Sequence, residues 1–238
     1  MTEVDIRYGA QDSHGRLFIP DGASGRPAVI VFPGGGGIGE ACYRSARRLA
    51  EEQGYVALAA DYYGCGYRGK DMGDAENLRR FEELAGNVAL MRERAGEAFV
   101  VLAGRPEVDA GRIAAIGYCF GGAMAVEFAL SGAEIRAAIG FHMVLKPLTL
   151  ADAGQAKARL LICNGTRDPY APMEYVSAFE AAMRDHDVRW QANLYGGVRH
   201  NFTDPDTGGD PEVFRYDSHA DRESWNAATF LLRDAFES

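Results

Sequence analysis

A cysteine, an aspartate and a histidine each follow an apolar, strand-like run of the chain. They occur in the order Cys119, Asp168, His200, about one strand–helix unit apart. In such a set the histidine takes the thiol proton, the thiolate attacks an electrophilic carbon, and the carboxylate holds the imidazole in the required tautomer. The three residues therefore predict a triad that cleaves a carbonyl ester through a covalent intermediate on Cys119.

The segment around Cys119 reads GYCFG (117–121) and lies between an apolar run and a helical pattern. A strand-to-helix turn this tight needs glycine two positions before and after the nucleophile, because larger side chains would collide with neighbouring backbone. The turn also holds the nucleophile at a helix N-terminus, where free N–H groups favour a thiolate. A cysteine that merely lets a helix pack on a sheet would give the same letters. Asp168 and His200 follow Cys119 in the chain order of a triad, and this favours the interpretation of Cys119 as a nucleophile.

Ester chemistry also needs two donors for the developing oxyanion. The backbone N–H of Phe120 is one expected donor, and the glycine run 34–37 supplies the other, with Gly35 and Gly36 as candidates. A phosphate loop is the competing interpretation of this run, but the lysine that such a loop requires does not follow it. Dinucleotide binding stays a minor alternative, because Asp61 ends the next strand although the glycine spacing does not fit.

The elements that position these residues alternate between strand-like and helix-like segments. Short continuous apolar runs indicate parallel strands buried on both faces, at 28–32, 56–60, 113–117, 137–141, 160–163 and 188–194. Apolar residues at three- and four-residue steps predict one long helix from Leu78 to Phe99 and a last helix from Trp225. This order predicts an α/β fold with a mostly parallel, doubly wound sheet whose site lies at the carboxyl ends of the strands.

Composition narrows the class of protein. The 238 residues carry a formal charge of -9, without the clustered Lys and Arg of a nucleic-acid-binding protein. The first ten residues lack a secretory pattern, and the four cysteines form no C-x-x-C pair. We expect a cytoplasmic protein with no membrane segment, no metal, no cofactor and no nucleic-acid partner, folded as a single domain over residues 1–238. It would act as a monomer or homodimer on a small-molecule ester.

The chain resembles the dienelactone hydrolase family of the α/β-hydrolase superfamily from about Ala28 to its C-terminal helix. The resembling stretches are RIAAIGYCFGG (112–122), GYVALAADYYG (54–64), NGTRDPYAP (164–172) and YGGVRHNF (195–202). The resemblance implies a metal-free hydrolase of small esters and lactones, with Cys119, Asp168 and His200 at the family's catalytic positions.

Two departures from the family pattern predict a substrate other than dienelactone itself. The loop after the first long strand has glycines where the family carries a glutamate, and Glu40 comes too late to replace it. Asp204 stands where the family has an arginine for the substrate carboxylate, and a carboxylate there would repel an anionic substrate. Arg79 and Arg80 are the remaining candidates for such a site, although a solvated helix face is the commoner role for such charges.

The expected pocket is apolar and aromatic, with a loop over 64–75 that could cover it as a lid. The candidate lining residues are Tyr118, His142, Phe202 and Tyr63. The leading hypothesis is a carboxylesterase or lactonase of broad specificity. Two alternatives stay open: turnover of activated organophosphate triesters by the same triad, and a non-catalytic ligand-binding role that retains the fold.

Overall fold

The computed structural model describes residues 1–68, 74–146 and 148–238. It contains one eight-stranded sheet in the order β1-β2-β4-β3-β5-β6-β7-β8. The strands are β1 Thr2–Tyr8, β2 Ser13–Ile19, β3 Arg26–Phe32, β4 Val56–Ala59, β5 Val108–Tyr118, β6 Ala137–Phe141, β7 Arg159–Gly165 and β8 Trp190–Tyr195. Pairing from β4 through β3 to β8 is parallel, and β2 is antiparallel to both β1 and β4. The predicted α/β-hydrolase fold with a mostly parallel sheet is confirmed.

Helices cover both faces of the sheet. They are α1 Glu40–Gln53, α2 Ala75–Ala85, α3 Val88–Ala103, α4 Phe120–Leu130, α5 Met173–Asp185 and α6 Ser218–Glu237, with a 3-10 helix at Leu150–Gln155. Buried residues of α1 and α6 form one core with the sheet, and those of α3, α4 and α5 form a second core on the opposite face. Each helix of the described residues is too short or too polar to span a bilayer.

The predicted helix from Leu78 to Phe99 is wrong in one respect, because two helices occupy this stretch. α2 ends at Gly86, and the Asn87 side chain accepts a hydrogen bond from the Leu90 N–H to begin α3. An Asn side chain competes with the helix for backbone donors. The Gly-Asn pair therefore separates the two helices, although the periodic pattern of apolar residues continues across it.

Strands β1 and β2 were not predicted from the sequence. β1 alternates exposed and partly buried residues, so it lacks the continuous apolar run that marks the central strands. Its pairing with β2 extends the parallel sheet by an antiparallel hairpin at one edge.

The strand order changes direction beside β3, whose neighbours are β4 on one side and β5 on the other. Loops that leave adjacent strands in opposite directions open a crevice at their carboxyl ends. The glycine run follows β3, and Cys119 follows β5. The topology therefore places the two predicted parts of the site side by side.

The crossing of α4 over β3 leaves no space for a side chain at Gly121. A Cβ atom there would overlap the carbonyl oxygens of Pro33 and Phe32. We expect Gly121→Ala to lower the free energy of unfolding by about 3 kcal/mol or more, because the overlapping atoms are backbone and cannot rotate away. Chemical denaturation measures this change.

Gly96 provides the matched control, since it lies inside α3 with no atom within 4 Å of an added Cβ. Gly96→Ala should raise the free energy of unfolding by about 0.5–1 kcal/mol, because alanine restricts the unfolded chain. Equal effects of the two substitutions would contradict the packing described for Gly121.

Candidate active site

Cys119 occupies a strained turn between β5 and α4. Its backbone has φ 53° and ψ -119°, a left-handed conformation that residues with a side chain seldom adopt. Its N–H donates to the Phe141 carbonyl at 3.0 Å, and its own carbonyl accepts from Gly122 at 3.1 Å. A Cβ at Gly117 would overlap the backbone of Gly121. The glycines of the motif thus allow the close approach of strand and helix that the sequence predicts.

The Cys119 sulfur rests against two backbone donors. The backbone N–H groups of Gly35 and Phe120 are directed at it and help to lower its pKa. Gly34 also lies against Cys119, since an added Cβ there would lie 3.7 Å from the Cys119 Cβ. Gly36 lines the adjoining space. Of the predicted donors, the structure brings Gly35 and Phe120 to the sulfur.

Asp168 and His200 lie together in the loops after β7 and β8. Oδ2 of Asp168 and Nδ1 of His200 are 2.7 Å apart, and their relative exposures are 3% and 1%. The other carboxylate oxygen accepts the Tyr170 N–H at 2.8 Å, which fixes the orientation of the carboxyl group. The backbone of His200 is held in turn by Val213 and Arg215. A buried carboxylate at Nδ1 leaves Nε2 of His200 as the atom that can exchange a proton.

Opposite charges on Cys119 and His200 stabilise each other. Burial alone would raise the thiol pKa, but the His200 charge, its hydrogen bond and the N–H groups of Gly35 and Phe120 outweigh burial and lower it. Burial likewise opposes the cation on His200, yet the Cys119 charge and the Asp168 carboxylate raise its pKa to about 10. Within the described residues, Nε2 of His200 is buried without a hydrogen-bond partner of good geometry. Its proton is stabilised mainly by the charge of Cys119.

A cavity of about 350 Å³ opens on the Cys119 sulfur and is called here the Cys119 cavity. Its side-chain walls are mainly apolar and come from several loops and helices: Leu78, Phe81, Val144, Tyr170 and Phe214, beside Cys119, His200 and Asn201. The described residues around it include no Lys, Arg, Asp or Glu. This space suits a neutral, largely apolar group next to the sulfur.

A second cavity of about 360 Å³, the Arg44 cavity, lies on the other side of the glycine run. Arg44, Ser45, Thr203 and Asp204 give it a polar lining. Asp204 accepts a hydrogen bond from Arg44 at 2.7 Å, so the carboxylate expected to repel an anionic substrate is paired with a cation. It lines this cavity and not the Cys119 cavity.

The four residues predicted to line the pocket lie around the site but not on the Cys119 cavity. Tyr118 stacks on Phe141, and Phe202 is fully buried in the core. His142 is buried against the His200 ring at 5.0 Å between centroids, and it bonds Thr203 at 2.8 Å. Tyr63 donates to the Gly35 carbonyl at 2.9 Å. Tyr118 and His142 line the Arg44 cavity instead.

Other predicted features have different positions. Arg79 and Arg80 both pair with Glu76 on α2, and Glu40 pairs with Arg47 on the surface of α1. Residues 69–73 of the predicted lid-like loop 64–75 lie outside the described residues. Among those described, no group of three or more His, Cys, Asp or Glu side chains is arranged to hold a metal ion.

Asp61, whose position after the next strand kept dinucleotide binding open as an alternative, has both carboxylate oxygens occupied by backbone N–H groups. They accept hydrogen bonds from the N–H groups of His14, Tyr63, Gly64 and Gly66. The carboxylate fixes a loop, and the structure gives no support to the dinucleotide alternative.

The cavity walls Val144, Tyr170 and Phe214 were not singled out from the sequence. Val144 follows β6 and Tyr170 follows β7, so the rule that sites lie beyond the carboxyl ends of strands points to both. Phe214 lies in the segment after His200, and no local pattern distinguishes it. Its position depends on a backbone bridge to His200.

Comparison with known proteins agrees with this geometry. The model of the dienelactone hydrolase family matches residues 14–236. A solved structure named m3DLH is 38% identical with a TM-score of 0.92, covering 99% of this chain and 98% of that one. A dienelactone hydrolase-like promiscuous phosphotriesterase from metagenomic libraries is 36% identical with a TM-score of 0.91, at the same coverage.

A protein of Caenorhabditis elegans, described as uncharacterized, is 31% identical over 153 residues, or 61% of this chain and 94% of its own length. The family match spans nearly the whole sheet and every element of the site. The chain belongs to the dienelactone hydrolase family of the α/β-hydrolases, and it is a hydrolase of ester bonds.

Proposed function

We propose that the protein hydrolyses small neutral esters and lactones through a covalent thioester on Cys119. The observation that carries the proposal is the setting of the sulfur, which has two backbone N–H donors on one side and the His200–Asp168 pair on the other. A thiolate so placed is a nucleophile, and the same donors can receive the charge that leaves it.

The first half-reaction forms the thioester. The Cys119 thiolate adds to the carbonyl carbon, and the carbonyl electron pair moves to oxygen, which accepts hydrogen bonds from the N–H groups of Gly35 and Phe120. The sulfur gives up these donors as it bonds to carbon. When the oxyanion collapses, the alkoxide leaves with the proton from Nε2 of His200. An ester gives a free alcohol and an acyl–Cys119, and a lactone gives a single product, a hydroxyacyl–Cys119 that still carries the alcohol.

The second half-reaction uses water. Neutral His200 takes a proton from water, and the hydroxide adds to the thioester carbon at the same two donors. Collapse expels the Cys119 thiolate and releases the carboxylic acid. The imidazolium and thiolate are thereby restored, and Asp168 supports the cation in both steps.

Activated organophosphate triesters are a second candidate class of substrate. The specific support is the promiscuous phosphotriesterase that is 36% identical over nearly the full chain. A thiolate can attack phosphorus, expel an aryloxide and form a phosphoryl–cysteine. Because a thiolate is a better leaving group than an alkoxide, water can displace it where a phosphoryl–serine would persist.

The nucleophile is tested with p-nitrophenyl acetate and butyrate in the presence of EDTA. Cys119→Ala should lower kcat/KM by about 10³-fold or more, since the remaining donors cannot replace a covalent path. Asp168→Asn should keep the fold and lower kcat by about 10²-fold or more, because the imidazole loses its tautomer and its counter-charge.

Mass spectrometry of a quenched reaction should show an acyl adduct on the peptide that contains Cys119. Lactones and paraoxon measured alongside assign the substrate class. Full activity in Cys119→Ala would rule out the thioester mechanism, and activity lost to EDTA would point to a metal that the proposal does not include.

The pH dependence follows from the two shifted pKa values. Because the pKa of Cys119 is lowered, its thiolate forms at a lower pH than that of an ordinary thiol. Activity should therefore rise as the pH increases through the pKa of Cys119. The raised pKa of His200 keeps its proton up to about 10, above which acylation should fall because the leaving group lacks its acid. The rate of alkylation by iodoacetamide against pH measures the first limb, and kcat/KM measures both.

His200→Gln removes the cation and leaves burial, which raises the thiol pKa. The alkylation midpoint of Cys119 should therefore move to higher pH in this variant. Cys119→Ala measures the background from the other thiols, of which Cys42 and Cys163 are buried with raised pKa. An unchanged midpoint in His200→Gln would contradict the charge pair.

Substrate charge is the third test, because the described lining of the Cys119 cavity has no cationic side chain except His200. p-Nitrophenyl butyrate should have a kcat/KM about 10-fold or more above that of mono-p-nitrophenyl succinate, whose carboxylate would be desolvated without a partner. Leu78 lies at the cavity rim and is 43% exposed. Leu78→Arg should reduce the ratio of kcat/KM between the neutral and the anionic ester. Leu78→Gln, which adds polarity without charge, should leave this ratio unchanged. Preference for the anionic ester in the wild type would refute this assignment.

A further inference from the structure

Tyr62 lies directly behind the glycine run and does not reach the Cys119 cavity. It follows β4, its relative exposure is 2%, and its hydroxyl hydrogen-bonds to the Gly34 carbonyl. The Pro33 carbonyl is farther from the same hydroxyl, at 3.3 Å. A phenol has one proton to donate, and the nearer Gly34 carbonyl receives it.

The Gly34 carbonyl and the Gly35 N–H belong to one peptide unit. A trans peptide is planar, so its C=O and N–H point in opposite directions and turn together. A donor that holds the carbonyl oxygen therefore helps to fix the direction of the Gly35 N–H, which is one of the two backbone groups that stabilise the Cys119 thiolate. The same hydrogen bond polarises the peptide and strengthens the N–H as a donor.

The glycine run holds this orientation only in part. Glycine has access to more backbone conformations than any other residue, and four of them occur in succession at 34–37. Within the run, the Gly37 N–H donates to the Gly34 carbonyl at 3.0 Å. Tyr62 adds a buried side-chain donor to the same carbonyl and ties the run to the loop after β4.

Tyr62 also contacts the second donor residue. Its ring packs edge-on against the Phe120 ring at 5.9 Å between centroids. The loop that carries Tyr62 is fixed by Asp61, which accepts the N–H groups of Tyr63 and Gly64 at 3.1 and 2.9 Å. Burial, with the neighbouring Tyr63 and Cys119, raises the pKa of Tyr62 well above the ordinary value, so the phenol keeps its proton as a donor.

We propose that Tyr62 is a positioning residue that aims the Gly35 N–H at the reacting oxygen. Its hydroxyl holds the Gly34–Gly35 peptide, and its ring supports Phe120. This inference rests on the function proposed above for Cys119. Tyr62 itself touches neither the sulfur nor the space in front of it.

The test compares Tyr62→Phe with Tyr63→Phe. Tyr63 donates to the next carbonyl, Gly35, whose peptide carries the Gly36 N–H and not the Gly35 N–H. The two variants each lose one phenol hydroxyl from the same loop and the same glycine run. Only Tyr62→Phe frees the peptide that faces Cys119.

We expect Tyr62→Phe to lower kcat for p-nitrophenyl butyrate by about 10- to 100-fold with KM changed less than about threefold, below the loss expected for removing a donor entirely. The alkylation midpoint of Cys119 should rise, because the Gly35 N–H also stabilises the thiolate. Tyr63→Phe should show a much smaller change in both. Thermal unfolding of all three proteins reports whether a loss of activity follows a loss of fold.

Equal effects of the two variants, or wild-type kcat and alkylation midpoint in Tyr62→Phe, would overturn the inference. Should Tyr62→Phe fail to fold, 3-fluorotyrosine placed at position 62 alone keeps the ring and changes the donor strength. It should alter kcat there and not at position 63, and no change at position 62 would also overturn the inference.

The outcome for Tyr62 can be separated from that for Cys119. If Cys119→Ala is inactive and Tyr62→Phe is unaffected, the proposed function stands and the positioning role fails. If Cys119→Ala retains full activity, the thioester mechanism fails. The alkylation midpoint still shows whether Tyr62 orients the Gly35 N–H.

Discussion

Backbone contact between β3 and the start of α4 is the constraint on which the rest of the site depends. Gly121 packs directly against the carbonyls of Phe32 and Pro33, and Gly117 packs against Gly121. This contact forces the left-handed conformation of Cys119 and brings the end of β3 beside it. Because the glycine run begins at the next residues, the same contact delivers its N–H groups to the sulfur. Cys119 and the N–H groups around it are thus positioned by one packing arrangement and not by two independent loops.

Charge is the second constraint, and it acts through burial. A thiolate and an imidazolium are each costly away from water, and burial opposes both here. Together with Asp168 and two N–H groups they offset that cost, since each group satisfies another. The pair is consequently sensitive to the direction of single N–H bonds, which is why a tyrosine outside the cavity bears on the chemistry within it.

The sequence predicted the parts of the site that depend on local pattern. Cys119, Asp168 and His200 each follow a buried strand, and parallel strands end at one edge, so their proximity follows from chain order. Gly35 and Phe120 follow from the same rule. The walls of the Cys119 cavity could not be predicted in this way. Tyr170 and Phe214 lie in loops whose paths depend on tertiary contacts, such as the bridge between Phe214 and His200. Of the residues predicted for the pocket, Phe202 belongs to the core, whereas Tyr118 and His142 line the Arg44 cavity.

The two histidines beside the sulfur show why side-chain identity alone could not assign the charge. The rings of His142 and His200 contact each other, and two cations at that distance would repel. The Asp168 carboxylate hydrogen-bonds to His200, while the side-chain partner of His142 is the neutral Thr203 hydroxyl. Burial, followed by the His200 charge, lowers the pKa of His142 well below its ordinary value. The proton is therefore held on the ring next to Cys119, and His142 is a neutral wall that adds no competing positive charge.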